Sequence, residues 1–210
     1  ATLEPKPFAV GVRVEMPQAA IDRAQYGRFA GDRRLGAASF RLTRRAEDDV
    51  RACYSFCMCP GGCVIACASE AGMLTTNGMS YSKRAMSMGN AAFLVPVNPA
   101  DYPGESVFGG VDFQRAIEQR AFAAGGGGYA TPAVMLDDFL KGHQSSSLPE
   151  DLSCKRSAPA EFRDILPDFI IHTLERSIRP MLKELDGINL AEAVLYAAEP
   201  RSSSPIRILR

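Results

Sequence analysis

The run Phe8-Ala-Val-Gly-Val-Arg-Val-Glu-Met16 predicts a β-strand close to the start of the chain. From Val10 onward its apolar and polar residues alternate, which is typical of a strand with one buried and one exposed face. Pro17 ends the strand, because proline has no backbone N–H to donate. Residues 18–26 predict a short helix with three alanines and one isoleucine on one side.

Further short strands are predicted on both sides of this segment. They cover residues 40–44, 73–76 and 91–97 and, near the end of the chain, residues 191–198 and 205–209. Short strands joined by short connections are typical of a barrel or a tightly curled sheet. We therefore predict an α+β fold in which residues 1–110 plus 188–210 form an antiparallel β-barrel-like domain.

Residues 111–187 predict a helical subdomain inserted into this β part. Apolar residues recur at helical spacing from Val111 to Ala124, and the glycines at 125–128 stop that helix. These glycines follow a helix and no Lys-Ser/Thr pair comes after them, so a helix cap and loop is favoured over a phosphate-binding loop. Pro167 opens a longer helix, which Pro180 is expected to kink or divide.

Five of the six cysteines lie in Cys53-Tyr-Ser-Phe-Cys-Met-Cys-Pro-Gly-Gly-Cys-Val-Ile-Ala-Cys67. Apolar residues flank Pro60-Gly61-Gly62, which predicts a β-hairpin closed by that turn. A three-residue loop places Cys59 opposite Cys63, whereas a two-residue loop sends Cys63 and Cys67 to the other face. The sequence leaves both registers open.

The spacing of these cysteines matches no zinc pattern, so no metal site is predicted. A disulfide framework is not expected either, because the chain is long enough for an ordinary core. Core packing is the favoured role, with a thiol in a cofactor or substrate pocket as the alternative. Cys57 and Cys59 are the candidates for such a pocket, because they flank the turn.

Composition excludes several classes of partner. Lys and Arg total 24, and so do Asp and Glu, so that the formal net charge is zero. No basic stripe favours nucleic acid, and no apolar run is long enough to span a membrane. We expect a cytoplasmic protein without a nucleic-acid or membrane partner. The chain begins at Ala1 without an initiator Met and enters a strand almost at once, so we expect it to be a piece of a longer protein.

Two polar segments are candidate binding loops. The first is Asn77-Gly78-Met79-Ser80 together with Arg84, and the second begins at Arg201. Asn-Gly is by itself a common turn dipeptide. The alternative is that backbone amides, the Ser80 hydroxyl and the Arg84 guanidinium hold a phosphate or carboxylate. The segment at Arg201 is likewise either a polar turn or an anion-contacting loop.

Seven stretches of this chain form an ordered set of motifs. They are Lys6-Pro-Phe-Ala-Val-Gly-Val-Arg-Val-Glu15, Tyr54-Ser-Phe-Cys-Met-Cys-Pro-Gly-Gly62, Ser69-Glu-Ala-Gly72, Thr75-Thr-Asn-Gly-Met-Ser80, Asp112-Phe-Gln-Arg115, Asp138-Phe-Leu-Lys-Gly142 and Arg201-Ser-Ser-Ser-Pro-Ile-Arg207. In this order they resemble the bacterial uncharacterised FAD-dependent dehydrogenases, relatives of the HI0933-like flavoproteins. The resemblance covers nearly the whole chain.

The resemblance implies that this chain is the middle, inserted region of a longer flavoprotein oxidoreductase. In that family a separate glycine-fingerprint segment binds FAD, and this chain has no such fingerprint. It implies a domain that covers the flavin, with the flavin-binding segments of the same polypeptide as its partner and NAD(P)H or a small molecule as substrate. The isolated chain is expected to bind no cofactor and to be inactive. The alternative is a non-catalytic interaction module of a flavoprotein that uses the helical insert.

The residues expected to face the flavin or the substrate come from the turn, the two polar segments and the neighbouring cysteines. They are Cys57, Cys59, Pro60, Gly61, Gly62, Asn77, Gly78, Met79, Ser80, Arg84 and Arg201.

Overall fold

The computed structural model describes residues 2–209, so that Ala1 and Arg210 of the predicted β part lie outside the described residues. The described chain forms eleven strands and four α-helices. The strands are β1 (Thr2–Pro5), β2 (Phe8–Pro17), β3 (Thr43–Arg44), β4 (Cys53–Cys59), β5 (Cys63–Cys67), β6 (Thr75–Met79), β7 (Met88–Val97), β8 (Thr131–Met135), β9 (Ser157–Pro159), β10 (Val194–Glu199) and β11 (Ile206–Leu209). The helices are α1 (Gln18–Tyr26), α2 (Gly109–Ala124), α3 (Leu136–Leu140) and α4 (Asp168–Leu182).

The main sheet has seven strands in the order β3-β4-β7-β2-β10-β8-β9. Its longest pairing joins β2 and β7 antiparallel over ten residues, from Phe8↔Val97 to Pro17↔Met88. All neighbours are antiparallel except β8 and β9. The edge strands β3 and β9 are short and do not pair with each other, so the sheet formed by residues 2–209 is open. The combination of helices with a mainly antiparallel sheet is confirmed, but a barrel-like closure is not.

Strand β2 separates two buried faces of this sheet. Val10, Val12 and Val14 join the core beneath the helices, and Arg13 and Glu15 point to the opposite face. Both charged residues are fully buried. The prediction that the polar face of this strand is exposed is therefore wrong, because another part of the chain covers it.

The cysteine-rich run forms the predicted turn but not the predicted hairpin. Strand β4 pairs with β3 and β7 in the main sheet, whereas β5 pairs with β6 in a separate two-stranded sheet. Cys59 thus lies opposite Asn90, and Cys63 lies opposite Met79. Both predicted registers between Cys59 and Cys63 are wrong. The turn transfers the chain from one sheet to another, and this could not be foreseen from the local sequence.

The Asn77-Gly78 dipeptide is not a turn. Both residues belong to β6, where Asn77 pairs with Ile65 and Gly78 pairs with Val64. The tertiary contacts of Gly78, described below, explain why glycine is needed inside a strand. The β5–β6 hairpin lies against the face of the main sheet that carries Arg13 and Glu15.

Helices α2 and α4 pack on the other face of the main sheet. Ile117 of α2 and Leu174 of α4 are fully buried in the same core cluster. Pro180 does not divide α4, which continues to Leu182. Proline cannot donate to the carbonyl four residues earlier. That carbonyl, on Arg176, instead accepts a hydrogen bond of 2.9 Å from Arg44 Nη1.

The region predicted as a helical insert, residues 111–187, contains α3, α4 and most of α2. It also contributes β8 and β9, and β8 pairs with β10 of the main sheet. The proposed division into two parts stays a prediction. No helix within residues 2–209 is long and apolar enough to cross a membrane.

Strands β1 and β11 pair antiparallel, from Thr2↔Leu209 to Pro5↔Ile206. We call this two-stranded sheet the terminal ribbon. Its side chains are largely solvent-exposed, including Leu3, Ile208 and Leu209. Both ends of the described chain therefore lie side by side.

Substituting Gly61 tests the turn that separates the two sheets. Gly61 has φ +48°, and an added methyl group would lie 1.9 Å from the carbonyl oxygen of Arg84. Gly36 also has a positive φ, +68°, but nothing lies within 4 Å of its methyl position. We expect Gly36→Ala to lower the free energy of unfolding by about 1 kcal/mol and Gly61→Ala by roughly 1–3 kcal/mol more, because overpacking is added to strain. Denaturant titration measures both, and equal losses would contradict the close approach.

Candidate functional site

The most unusual feature of the covered face is the buried guanidinium of Arg13. Its Nε and Nη2 donate to the two carboxylate oxygens of Glu199, each at 2.9 Å. Its Nη1 donates to Asn90 Oδ1 at 2.8 Å and to the carbonyl oxygen of Cys57 at 3.2 Å. The Thr76 hydroxyl donates to Glu199 Oε2 at 3.4 Å. We call these five residues the Arg13 cluster.

Gly78 lies directly against this cluster. A methyl group at Gly78 would lie 2.2 Å from Arg13 Nη1 and 2.3 Å from Asn90 Oδ1. A side chain there would therefore displace the guanidinium or the amide, so that only glycine allows β6 to cross at this point. Asn90 is fully buried, and its Nδ2 has no hydrogen-bond partner among residues 2–209.

The ion pair with Glu199 keeps the Arg13 guanidinium protonated. Burial by itself lowers the pKa of Arg13, but the hydrogen bonds and the negative charge of Glu199 outweigh burial and raise it. A buried carboxylate next to such a group is held in place by charge-assisted hydrogen bonds. The cluster thus joins four strands of the main sheet, β2, β4, β7 and β10, to β6 of the hairpin.

The two candidate cysteines differ in their surroundings. Cys57 is exposed and has a positive φ of 48°, at a β-bulge in which β4 shifts its register against β7. Cys59 is buried, and burial raises the pKa of its thiol despite the nearby Arg13. A reactive thiolate requires a lowered pKa and exposure, so Cys59 does not have the properties of a redox-active thiol.

The predicted turn and the first polar segment lie against each other. Ser80 Oγ donates to the Pro60 carbonyl oxygen at 2.7 Å, and Gly62 approaches the Met79 carbonyl so closely that a methyl group would lie 2.3 Å from it. Gly61 lies equally close to Arg84, as described above. The structure thus brings the turn and the segment from Asn77 to Arg84 together next to the Arg13 cluster. We call this combined surface the turn surface.

Several backbone donors of the candidate turn and of the first polar segment are engaged within the chain. The Gly61 N–H donates to Gln18 Oε1, the Gly62 N–H to the Met88 carbonyl, and the Gly78 N–H to Asn77 Oδ1, at 2.7, 2.8 and 2.8 Å. Asn77, Met79 and Arg84 are exposed. Cys57 and Arg201 are the other exposed candidates.

Arg201 lies apart from the turn surface. Its Nε and Nη2 donate to the carboxylate of Glu118 on α2, at 2.5 and 3.1 Å. The hydrogen bonds to this carboxylate raise the pKa of Arg201. Glu118 is fully buried, so the pair fastens the segment after β10 to α2.

A second buried carboxyl, Glu15, lies two residues from Arg13 on the same face of β2. It accepts hydrogen bonds from the Ser153 backbone N–H at 3.1 Å, from the Ser153 hydroxyl and from the Tyr196 hydroxyl at 3.1 Å. It forms no ion pair with any of residues 2–209. Burial raises its pKa, and the hydrogen bonds from Ser153 and Tyr196 only partly oppose this.

Sequence reasoning missed Arg13, Glu199 and Glu15. The alternation in β2 predicts that its polar residues face solvent. Arg13 and Glu15 are interior because the β5–β6 hairpin and the loop around Ser153 cover them. A signal was nevertheless present in Gly78, since an isolated glycine inside a strand often marks a close approach of another group.

The described residues do not fit the nucleotide end of FAD. Dinucleotides are held by a parallel strand–helix–strand unit whose first turn is rich in glycine. Within residues 2–209 only β8 and β9 pair in parallel. The connection between them begins directly with Leu136 of α3, so no glycine-rich turn follows β8. The glycines at 125–128 follow the C-terminal end of α2, whereas a dinucleotide-binding turn precedes the N-terminal end of a helix. Residues 2–209 also hold no group of three His, Cys, Asp or Glu side chains arranged to bind a metal ion.

Comparison with known proteins places this chain in a family. Residues 7–202 match the family described as "FAD-dependent protein, C-terminal domain-like". The chain belongs to that family and is consistent with a domain of an FAD-dependent protein.

An individual relative is an "Uncharacterized protein" of Clostridium beijerinckii, which is 42% identical over 212 residues. The match covers 100% of this chain and 40% of the relative. The chain thus spans about two fifths of the length of that protein.

Replacing Arg13 tests whether the cluster holds the hairpin on the sheet. Arg13→Met leaves the buried Glu199 carboxylate without a cation, and we expect a loss of about 3–5 kcal/mol in the free energy of unfolding. The matched control is Arg207→Met, which breaks the exposed pair with Glu4 and should change the free energy little. Adding Glu199→Met to Arg13→Met should recover part of the loss. Denaturant titration measures these variants and Glu199→Met alone, and losses of the two single variants that simply add in the double variant would exclude the coupling.

Glu15 should make the free energy of unfolding of this protein depend on pH. Because its pKa is raised above the ordinary value of 4.5, the folded state binds more protons than the unfolded state just above that pH. The free energy of unfolding therefore falls as pH rises from about 4.5 through the raised pKa. We expect Glu15→Gln to lose this contribution, so that its difference from wild type changes across this window. Denaturant titration at several pH values measures this variant and Glu105→Gln, a control at an exposed position.

Proposed function

We propose that this chain is the flavin-covering domain of an FAD-dependent oxidoreductase of the HI0933-like kind, inactive unless the flavin-binding segments of the same polypeptide are present. The observation that carries the proposal is the pairing of β1 with β11, combined with membership in an FAD-dependent family. A domain inserted into another must leave and re-enter it at neighbouring points. The terminal ribbon meets this requirement.

The chain's share of its relative supports the same proposal. The remaining three fifths of the Clostridium beijerinckii protein leave ample room for a nucleotide-binding unit of ordinary size. The nucleotide end of FAD has no fitting turn in residues 2–209, so its binding falls to that remainder. In this proposal FAD supplies the electron-transfer chemistry, and this chain excludes water and shapes the substrate side.

The turn surface is the part that we propose faces the flavin or the substrate. Cys57, Asn77, Met79 and Arg84 are exposed there, and the Arg13 cluster beneath makes the backbone rigid. Rigid support of exposed residues is typical of a binding surface. Arg201, bound to Glu118, has a structural role in the proposal instead of a contact with the flavin.

The alternative, an interaction module based on the helical insert, has less support. An apolar docking face would expose several large apolar side chains. Within residues 111–187, Tyr129 is the large apolar residue that is exposed, whereas the stripe of α4 is buried. We also propose a cytoplasmic location, because all six cysteines are free thiols.

Deleting this domain from the longer relative tests the proposal. The segment of the Clostridium beijerinckii protein that matches this chain is replaced by a short Gly-Ser linker, which the adjacent ends of the terminal ribbon allow. We expect the intact protein and the deletion variant both to purify with the visible absorption bands of a flavin. Iodide should quench the flavin fluorescence more strongly in the variant, because its covering domain is missing.

Two outcomes would contradict the proposal. Loss of all flavin on deletion, with the remainder still folded by circular dichroism, would mean that this chain itself holds the cofactor. Unchanged iodide quenching would mean that the domain does not cover the flavin. An intact protein that purifies without any flavin would contradict the oxidoreductase assignment.

A further inference from the structure

An open groove of about 580 Å³ is lined by β4 and by the chain segment around β3. On the β3 side, β4 pairs at Cys53 and Tyr54, and the Ser55 N–H donates to the Leu42 carbonyl oxygen at 2.8 Å, so that β4 has no partner strand on this side beyond Ser55 among residues 2–209. Its volume lies within the range of small-molecule sites, which is about 300–1,000 Å³. Its lining residues are Phe40, Arg41, Thr43, Arg44, Arg45, Ala52, Cys53, Tyr54, Ser55, Phe56, Cys57 and Met58.

The wall of the groove is mainly apolar and aromatic. Phe56 of β4 is 44% exposed, and a β-bulge follows it in the pairing of β4 with β7. Burial raises the pKa of the Cys53 thiol to about 12 and also raises the pKa of the Tyr54 hydroxyl. Both groups are therefore neutral at pH 7, and the wall carries no negative charge of its own.

All the charged residues that line the groove are arginines. Arg44 is engaged, because it donates to Glu47 and to the Arg176 carbonyl oxygen, each at 2.9 Å. Arg41 and Arg45 are exposed and form no ion pair with any of residues 2–209.

The acidic residues nearby in sequence do not occupy the groove. Glu47 is bound to Arg44, and Asp49 Oδ2 lies 3.0 Å from His172 Nε2. None of the acids at positions 47–49 is among the lining residues. The groove therefore combines an apolar wall with two uncommitted guanidinium groups.

We infer that this groove binds a small organic anion, with a carboxylate, sulfonate or phosphate held by Arg41 and Arg45 and an aromatic or aliphatic body against Tyr54, Phe56 and Met58. Guanidinium groups bind such anions with two parallel hydrogen bonds, which fixes their orientation. The apolar body supplies contact area that a free inorganic anion lacks. None of these five residues is proposed to face the flavin, so the inference does not rest on the flavin proposal; of the groove's lining residues, Cys57 is the one that also belongs to the proposed flavin-facing surface.

Two dyes with the same aromatic body test the site on the 210-residue chain. Anilinonaphthalene sulfonate carries an anionic group, and phenylnaphthylamine lacks it. We expect the sulfonate dye to bind at one saturable site, measured by the rise in its fluorescence. In the Arg41→Gln/Arg45→Gln variant its Kd should rise about tenfold or more, because charge-assisted hydrogen bonds are lost. Binding of the neutral dye should be unchanged.

The matched control is Arg33→Gln/Arg120→Gln, which removes two exposed arginines that do not line the groove. It should leave both dyes unaffected. Phe56→Ser removes the aromatic wall at an exposed position and should weaken both dyes. Circular dichroism and thermal unfolding confirm that each variant is folded.

Competition on the unmodified chain gives a test that needs no variant. Naphthoate should displace the sulfonate dye, whereas naphthalenemethanol, which has no charge, should displace it at least tenfold less effectively. Equal displacement by the two compounds would overturn the inference. So would an unchanged Kd in the Arg41/Arg45 variant, an equal loss in the control, or several equivalent dye sites.

Discussion

The arrangement of this protein depends on a guanidinium that has been removed from water. Burying a charge costs several kcal/mol even in a real protein interior, and Arg13 has no exposed surface at all. Such a group is stable only when most of its five N–H donors find an acceptor. Four hydrogen bonds provide this, to Glu199, Asn90 and the Cys57 carbonyl.

Meeting that requirement constrains distant parts of the chain. Glu199 follows the register shift in β10, and the Cys57 carbonyl is presented by the bulge in β4. Gly78 must lack a side chain so that β6 can cross the guanidinium. These irregularities would be defects in an isolated sheet. Here they bring acceptors from separate strands to one point and fasten the β5–β6 hairpin to the sheet.

Glu15 is a different solution to the burial of a charged residue on the same strand face. It has no cation partner among residues 2–209, and its carboxylate oxygens accept hydrogen bonds from Ser153 and Tyr196. Burial therefore raises its pKa, whereas Arg13 keeps its charge through a partner. Arg13 belongs to an ion pair, whereas the protonation of Glu15 makes the free energy of unfolding depend on pH. Both hold covering segments on the sheet.

The sequence by itself determined the strand at Phe8–Met16, the short helix after Pro17, the long helix after Pro167, the turn at Pro60–Gly62 and the resemblance to FAD-dependent proteins. These follow from local periodicity, from turn chemistry and from ordered motifs, which neighbouring residues suffice to specify. Only the tertiary structure decided that β4 and β5 part into different sheets, that Asn77-Gly78 is a strand, and that Arg13 and Glu15 are interior. Those outcomes depend on which distant segment covers a given face, and hydrophobic alternation is the same whether a polar face meets water or a buried partner.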